Sequence, residues 1–225
     1  MYQPNWTTWF ISDIHFGHAN AIVHTNRPFK DIDEMKETII SNWNKVVKPK
    51  DLCIFVGDIF FYHSKNQMVE TMGRMNGRKV LVRGNHDQKP RQMMNAGFEI
   101  CVEEMSMKIA DEKVLISHYP FAMPEKRYRY LIRKNKFLRW ITGKSRQIYP
   151  YKYHERRPVD RGQFLIHGHT HNKDKVRGRA IHVGVDAWDF RPINIQEISN
   201  LIARIKQNEK NRRQEKTVAK KTRRS

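Results

Sequence analysis

Five short apolar segments of this chain each end in a cluster of Asp, Asn or His side chains. The segments have the length and residue types of buried strands, and they are residues 7–12, 51–56, 79–83, 113–117 and 163–166. The clusters that follow them are Asp13-Ile14-His15, Gly57-Asp58, Gly84-Asn85-His86-Asp87, His118 and His167-Gly168-His169. Polar groups at the ends of buried strands cost free energy unless they are paired. A shared site is therefore a simpler explanation than five coincidences.

The order of the remaining elements indicates an α/β fold. Apolar residues at helical spacing predict helices over 33–47, 65–75 and 195–206, and further short strands are predicted over 98–109 and 180–185. Strands and helices alternate early in the chain, which favours a layered sheet core with helices outside. Loops after the carboxyl ends of strands gather at one edge of such a sheet, where sites form.

The positive charge of the chain is concentrated in two places. The net charge is +20, from 43 Lys and Arg against 23 Asp and Glu. Residues 121–163 hold 13 Lys and Arg against three Asp and Glu, and residues 203–225 hold 10 against two. We therefore predict one domain over 1–206 with a basic insertion at 121–163, followed by a basic, disordered tail at 207–225. This pattern is typical of proteins that contact a polyanion such as nucleic acid.

The basic insertion admits two interpretations. Its basic residues alternate with aromatic residues, namely Tyr128, Tyr130, Phe137, Trp140, Tyr149, Tyr151 and Tyr153. Cations interleaved with stacking rings suit single-stranded nucleic acid. An amphipathic helical lid with solvated Lys and Arg is the alternative, and both can hold together. The tail is expected to add charge without reading sequence.

Composition excludes several other classes of protein. Two cysteines, Cys53 and Cys101, cannot form a disulfide framework or a cysteine-based zinc site. No apolar run reaches the length of a membrane span, and no Lys or Arg precedes Arg27, so the charged start of a signal peptide is missing. We expect a cytoplasmic protein of a bacterial or phage-infected cell, without membrane contact.

The ligand types in the clusters suit borderline divalent metals such as Mn, Fe, Ni or Zn. Asp13 and His15 lie two residues apart, so an extended backbone directs both side chains to one side. His167 and His169 have the same spacing. The sequence therefore predicts a metal site made from carboxylates, imidazoles and an amide.

Taken in order, the clusters resemble the motifs of the calcineurin-like metallophosphoesterases, a superfamily with two metal ions. The family pattern is Asp-x-His, Gly-Asp, Gly-Asn-His-Asp/Glu, a single His and Gly-His-x-His, and the resemblance covers about 160 of the 225 residues. It implies a four-layer α/β/β/α sandwich. The chain also resembles compact bacterial and phage members in Phe16-Gly17-His18 and His118-Tyr119-Pro120, whereas the Asp-Arg-Gly triplet of protein phosphatases is missing.

The resemblance implies a role for each motif residue. One metal ion would be held by Asp13, His15 and His169, and the other by Asn85, His118 and His167, with Asp58 bridging the two. His86 would act on the phosphate as a hydrogen-bond donor or general acid. Asp87 would either orient His86 or serve the turn alone.

The implied reaction is phosphodiester hydrolysis by a metal-bridging hydroxide, with Mn²⁺ the preferred ion and nucleic acid or nucleotides as substrates. A phosphomonoesterase that removes terminal phosphates is the alternative, and a non-catalytic nucleic-acid-binding module is a third hypothesis.

A few further residues are assigned by position alone. His18 and Arg83 are candidates for substrate binding, although each could equally serve structure. His171 follows the last cluster by two residues and is left open in the same way. The remaining histidines without supporting context are His24, His63, His154 and His182.

Overall fold

Two five-stranded sheets form the centre of the protein, in a computed structural model that describes residues 7–61, 64–142 and 153–222. The strands of the first sheet are β1 (Thr8–Ile11), β2 (Leu52–Phe55), β3 (Arg78–Val82), β4 (Ile100–Val102) and β10 (Ile193–Asn194). Their order is β10-β1-β2-β3-β4, with β1 to β4 parallel and β10 antiparallel to β1.

The second sheet also combines parallel and antiparallel strands. Its strands are β5 (Glu104–Ile109), β6 (Glu112–Ser117), β7 (Phe164–His167), β8 (Val176–Arg177) and β9 (Ala180–His182). Their order is β5-β6-β7-β9-β8, and β6, β7 and β9 run parallel. Parallel strands end at the same edge, so each sheet offers one edge on which loops can build a site.

Helices pack outside the sheets. The six described α-helices are α1 (Ala19–His24), α2 (Ile32–Val46), α3 (Lys65–Gly73), α4 (Pro90–Asn95), α5 (Glu125–Thr142) and α6 (Ile195–Thr222). The start of α2 is fixed by Asp31, whose carboxylate accepts hydrogen bonds from the backbone of Asp33 and Glu34. Within the described ranges, no helix combines the length and the apolar composition that a membrane crossing needs.

Alternate side chains of β2 pack into two different apolar cores. Cys53 and Phe55 belong to an apolar core with Met35, Ile39 and Trp43 of α2 and its neighbours. Ile54, on the opposite face, belongs to a second core that also contains residues of the other sheet and of α6. Strand side chains alternate between faces, so one strand serves both cores. The prediction of an α/β protein with two sheets flanked by helices is confirmed.

The last helix is longer than the sequence predicts. Apolar spacing predicts an end at residue 206 and disorder over 207–225, whereas α6 continues to Thr222. The apolar face stops at Ile205, but the following residues are mostly strong helix formers without Gly or Pro. Arg179 also pairs with Glu209, 2.6 Å apart, which ties the extension to the second sheet. Apolar periodicity alone therefore underestimates this helix.

The basic insertion contains α5, and its two ends contact each other. The backbone N–H of Ala122 donates to the carbonyl of Pro158 at 2.8 Å, and the ring of Tyr128 stacks on His154 at 3.6 Å. Residues 143–152, which include the predicted stacking residues Tyr149 and Tyr151, lie outside the described ranges, as do the side chains of Phe137 and Trp140.

Candidate metal centre

The five polar clusters meet where the carboxyl ends of the two sheets face each other. The backbone N–H of Asp13 donates to the carbonyl of Gly57, and the N–H of Gly168 donates to the carbonyl of His118. A parallel bridge between Ser12 and Gly184 joins the two edges. Loops from both sheets therefore contribute to one site.

The first candidate metal-binding cluster consists of Asp13, His15 and His171, whose ligand atoms lie within 4.8 Å of one another. The Nε2 atoms of His15 and His171 are 3.2 Å apart. His171 Nε2 is 3.8 Å from the Asp13 carboxylate. Asp13 is fully buried, and its oxygens also accept hydrogen bonds from the His169 backbone N–H and the Ser12 hydroxyl.

The second candidate cluster consists of Asp58, His118 and His169. His118 Nε2 is 3.3 Å from the Asp58 carboxylate and 3.2 Å from His169 Nδ1. The same Asp58 oxygen is 3.8 Å from His15 Nε2 of the first cluster. Asp58 thus lies within reach of both clusters, which is the position that the resemblance gives to a bridging ligand.

The structure groups the last histidines differently from the motif order. The motif order predicts His169 as a ligand of the first metal ion and His167 as a ligand of the second. In the structure His169 belongs to the second cluster, His171 to the first, and His167 to neither. His167 is the last residue of β7, and its Nδ1 atom lies 2.8 Å from the Gly168 carbonyl oxygen. The family pattern Gly-His-x-His is therefore matched by Gly168-His169-Thr170-His171.

The donor atoms fit divalent metal ions. In each cluster, imidazole nitrogens and carboxylate oxygens lie within 4.8 Å of one another, and these are the ligand types of borderline metals. Within the described part of the chain, the buried Nδ1 of His15 and the Oδ1 of Asn85 have no hydrogen-bond partner. Unsatisfied buried polar atoms are costly, and Asn85 Oδ1 remains available as a further ligand.

The imidazoles of the two clusters fall into two groups by the direction of their pKa shifts. Burial lowers the pKa of His15 well below its usual range, which favours the neutral form that binds metal, whereas the Asp13 and Asp186 carboxylates raise the pKa of His171 against the effect of burial. Burial lowers the pKa of His167 to about 3 and the pKa values of His169 and His182 to about 4. His118 differs: burial opposes its protonation, but the Asp58 carboxylate raises its pKa to about 9. His118 in turn lowers the pKa of Asp58 against the effect of burial. A metal ion bound by this pair would replace the proton.

Left-handed backbone is concentrated at the candidate ligands. Five of them have positive φ without being glycine, namely Asp13 (58°), His15 (57°), Asp58 (57°), His169 (72°) and His171 (49°). This conformation is costly for such residues and collects at functional sites. Glycine is needed at position 168, directly before His169, because a Cβ atom there would collide with the Ser12 hydroxyl.

A buried ion pair supports the first cluster. The Arg27 guanidinium pairs with the Asp186 carboxylate at 2.8 Å and donates to the carbonyls of Asp13 and Ile14. Asp186 Oδ2 lies 3.1 Å from Nδ1 of His171, which leaves Nε2 of that ring facing the cluster. Asp186 and Arg27 therefore orient ligands from two loops, and neither is predicted from the sequence.

Backbone groups support the second cluster. His118 Nδ1 lies 2.9 Å from the Val56 carbonyl, which leaves Nε2 facing Asp58. The buried carboxylate of Asp87 accepts hydrogen bonds from the backbone N–H groups of Asp58, Ile59 and Gly84. Asp87 thus holds two loops together, which matches the turn role and not the orientation of the His86 ring.

The other predicted residues lie at different distances from the clusters. The exposed His86 ring is centred 5.4 Å from the His15 ring, and the His18 ring stacks on Phe61 at 3.9 Å. The Arg83 guanidinium is paired with Glu103, 2.7 Å from Nε, and Arg83 is not among the described residues lining the cavity. The substrate-binding role of Arg83 therefore stays a prediction.

Two histidines without sequence context have clear places. His182 is buried beside His167, with ring centres 5.3 Å apart, and its Nε2 is 4.0 Å from the Asp13 carboxylate. His24 is exposed at the end of α1. His63 lies outside the described residues. The signal that could have found His171 was a strict match to the family pattern, because Gly-His-x-His begins at Gly168 and ends at His171.

A cavity of about 1080 Å³ opens over the clusters. Its floor includes Asp58, Asn85, His86, His169 and His171. Its walls include residues from both ends of the basic insertion, namely Phe121, Met123, Arg127, Leu131, Tyr153 and Arg157. The insertion is therefore placed directly beside the candidate ligands.

A metal-dependent phosphoester hydrolase is the class of enzyme that this fold and donor set define. The comparison with protein families agrees with it. The model of the calcineurin-like phosphoesterases matches residues 7–186, so the chain belongs to that family of metal-dependent hydrolases.

Several proteins are similar to this chain. Gene 66 protein of Mycobacterium phage L5 is 28% identical over 225 residues, which cover 90% of this chain and 97% of the phage protein. An uncharacterized protein of Methanocaldococcus jannaschii is 46% identical over 81 residues, but these cover only 36% of this chain and 46% of that protein. A solved structure of a protein of unknown function from Aquifex aeolicus has a TM-score of 0.59 and 27% identity, covering 88% of this chain and all of that one.

Proposed function

We propose that this protein binds two divalent metal ions and hydrolyses phosphodiester bonds in nucleic acid or nucleotides. The observation that carries the proposal is the pair of donor clusters that share Asp58 beneath one cavity. Asp13, His15 and His171 would hold one ion, and His118, His169 and Asn85 the other. Two such ions supply water activation and neutralise charge on the phosphoryl oxygens. Manganese is the preferred ion, with Fe, Ni and Zn as the others that suit these ligands.

His86 is the residue for proton transfer. Its backbone N–H donates to Asp58 Oδ1 at 2.8 Å, which fixes the loop against the shared ligand. Its ring is exposed and lines the cavity, so it can reach the oxygen of a leaving group. It is not a member of either candidate metal-binding cluster. An imidazole has a reference pKa near neutrality, which suits a general acid.

The surroundings of the cavity favour a large anionic substrate. The helix α5 carries a run of cationic residues from the cavity rim outward, and Arg127 of this helix lines the cavity itself. The cavity volume of about 1080 Å³ exceeds what a single phosphate group needs. A nucleotide or a nucleic acid end, with a charged backbone and flat bases, suits this combination of rings and cations.

Paired hydrolysis assays test the reaction. The protein is stripped of metal, reloaded with Mn²⁺ and given bis-p-nitrophenyl phosphate or p-nitrophenyl phosphate. We expect turnover of the diester and a loss of roughly a hundredfold or more in His86→Ala, while His24→Ala, an exposed histidine on α1, keeps wild-type rates. Turnover of the monoester alone would replace the proposal with a terminal phosphatase. A protein inert with Mn, Fe, Ni and Zn would contradict it.

A second experiment tests nucleic acid as the partner. The triple variant Lys210→Gln, Arg212→Gln, Arg213→Gln removes three exposed charges from α6, and Lys45→Gln, Lys48→Gln, Lys50→Gln removes three exposed charges near α2. We expect only the α6 variant to bind single-stranded DNA more weakly. Its salt dependence should fall by about one unit of slope for each phosphate that it no longer neutralises. Equal slopes for both variants would remove α6 from the interface.

A further inference from the structure

The wall that the basic insertion adds to the cavity carries a guanidinium without an acidic partner. Arg157 lines the cavity, and its Nε atom is buried with no hydrogen-bond partner among the described residues. Burial lowers the pKa of Arg157. Asp160 and Asp174 also line the cavity, but no ion pair joins Arg157 to either of them in the part of the chain that the structure describes. A partly buried cation without a counter-charge is costly.

Arg157 differs in this respect from the other described arginines that are wholly or partly buried. Each of those has a carboxylate partner within hydrogen-bonding distance, in the pairs Arg27–Asp186, Arg83–Glu103, Arg179–Glu209 and Arg191–Glu197. In these four pairs a carboxylate of the protein neutralises the charge of the guanidinium group. Arg157 stands out because its missing partner would lie in the cavity.

The segment before Arg157 brings the ring of Tyr153 close to the second cluster. The ring of Tyr153 is centred 5.8 Å from the His169 ring and 5.6 Å from the Tyr119 ring. Tyr153 has a φ of 62°, a left-handed conformation that costs free energy in a tyrosine. The charge of Arg157 is among the causes that lower the pKa of His169, which places the guanidinium within electrostatic reach of that ligand.

We propose that Arg157 binds an anionic phosphate oxygen of the substrate, in a subsite that the insertion supplies beside the metal clusters. This inference rests on the proposed phosphoesterase function, because that function brings a phosphate into the cavity. A planar guanidinium presents parallel N–H donors that match two oxygens of a phosphate. The phosphate is either the one that is cleaved or the next one along a nucleotide chain. Either phosphate supplies the negative charge that the described residues of the protein do not place beside Arg157.

Binding of inorganic phosphate is the first test, measured by calorimetry on the full chain loaded with Mn²⁺. The variants are Arg157→Gln, Arg157→Lys, and Arg161→Gln as a control at an exposed arginine outside the cavity lining. We expect Arg157→Gln to weaken phosphate binding by roughly tenfold to a hundredfold. Arg157→Lys should lose less because it keeps the charge, and Arg161→Gln should match the wild type.

Manganese content and melting temperature separate this role from a structural one. Weaker phosphate binding with unchanged manganese content and unchanged melting temperature supports the subsite. Unchanged phosphate affinity in Arg157→Gln overturns it. A variant that loses manganese or melts earlier also overturns it, since Arg157 would then support the fold or the ligands.

Three substrates identify which phosphate Arg157 contacts. The substrates are bis-p-nitrophenyl phosphate, which has one phosphate, and a thymidine dinucleotide with or without a 5′-phosphate. A loss of kcat/KM on all of them assigns Arg157 to the cleaved phosphate. A loss confined to the 5′-phosphorylated dinucleotide assigns it to the neighbouring one. If the wild type binds phosphate through Arg157 but cleaves no diester, the proposed function fails and the subsite stands.

Discussion

The two candidate metal clusters differ in how the chain holds their ligands. In the first, His171 is oriented by Asp186, which is paired with the buried Arg27. In the second, His118 is oriented by the backbone carbonyl of Val56, and the loop of Asp58 is fixed by backbone hydrogen bonds to Asp87. Charged side chains support one cluster, whereas main-chain groups of the first sheet and its loops support most of the other.

This difference has a consequence for how each cluster fails. A buried ion pair depends on both partners, because removal of one leaves an uncompensated charge. A backbone carbonyl at the end of a strand stays in place as long as the sheet does. We therefore expect the first cluster to be the more sensitive to single substitutions around it, and the second to lose less metal affinity when a supporting group is changed.

The largest effect is expected at Asp58, because this ligand lies within reach of both clusters. Asp58→Asn removes the negative charge 3.3 Å from His118 Nε2 and 3.8 Å from His15 Nε2. We expect manganese to be lost from both clusters and diester turnover to fall by about a hundredfold or more. Metal analysis after gel filtration measures the content per chain. Retention of two manganese ions would mean that Asp58 is not shared.

The next prediction tests which of His167 and His171 is a metal ligand. His171→Ala removes a member of the first cluster, whereas His167→Ala removes a buried neighbour that belongs to neither. We expect His171→Ala to retain one manganese ion per chain and to lose the spin-coupled signal of a manganese pair in electron paramagnetic resonance. His167→Ala should keep two ions and the coupled signal. The reverse result would restore His167 as a ligand.

The third prediction tests the ionic support itself. Asp186→Asn keeps the shape of the side chain but weakens its hold on His171, so we expect manganese affinity at the first cluster to fall by roughly ten- to a hundredfold. The second cluster should remain filled. Excess manganese should restore the coupled signal, which a misfolded loop would not allow. Equal loss from both clusters would show that the two supports are not independent.

Arg27 gives the corresponding effect on stability. Arg27→Met leaves Asp186 buried without its counter-charge, and we expect the free energy of unfolding to fall by about 3–5 kcal/mol. The double variant Arg27→Met, Asp186→Asn removes the unpaired charge and should recover part of that loss. Urea unfolding of both variants measures the difference. No recovery in the double variant would assign the loss to the hydrogen bonds from Arg27 to the Asp13 and Ile14 carbonyls.

The positions of the ligands Asp58 and His118 in the second cluster follow from the sequence, whereas the ionic support of the first cluster does not. The strands that carry Asp58 and His118 follow from short apolar runs, so the positions of their ligands follow from the strand ends. Arg27 and Asp186 are 159 residues apart, and neither stands in a motif. The contact between Arg27 and Asp186 forms because loops from both sheets meet. Local sequence patterns do not predict such a long-range contact.

The other differences have local causes. His167 ends β7 and precedes the glycine of the Gly-His-x-His pattern, so the strict match is Gly168-His169-Thr170-His171 and the predicted histidine pair is displaced from it by two residues. The helices α1 and α4 have six residues each, too few for an apolar periodicity to be recognised. The extension of α6 lacks an apolar face, so the feature used to predict helices is missing where propensity and charge pairs continue the helix.

The smallest effect is expected from weakening the backbone support of the second cluster. Asp87→Asn keeps one oxygen acceptor and turns the other position into a donor that faces a backbone N–H, so part of the contact to Asp58, Ile59 and Gly84 is retained. We expect manganese affinity at the second cluster to fall by less than about tenfold, below the loss that Asp186→Asn causes at the first. Calorimetric titration of both metal-free variants with Mn²⁺ compares them directly. A larger loss in Asp87→Asn would reverse the ranking of the two supports, because the loop of Asp58 would then depend on a single carboxylate as strongly as His171 depends on Asp186.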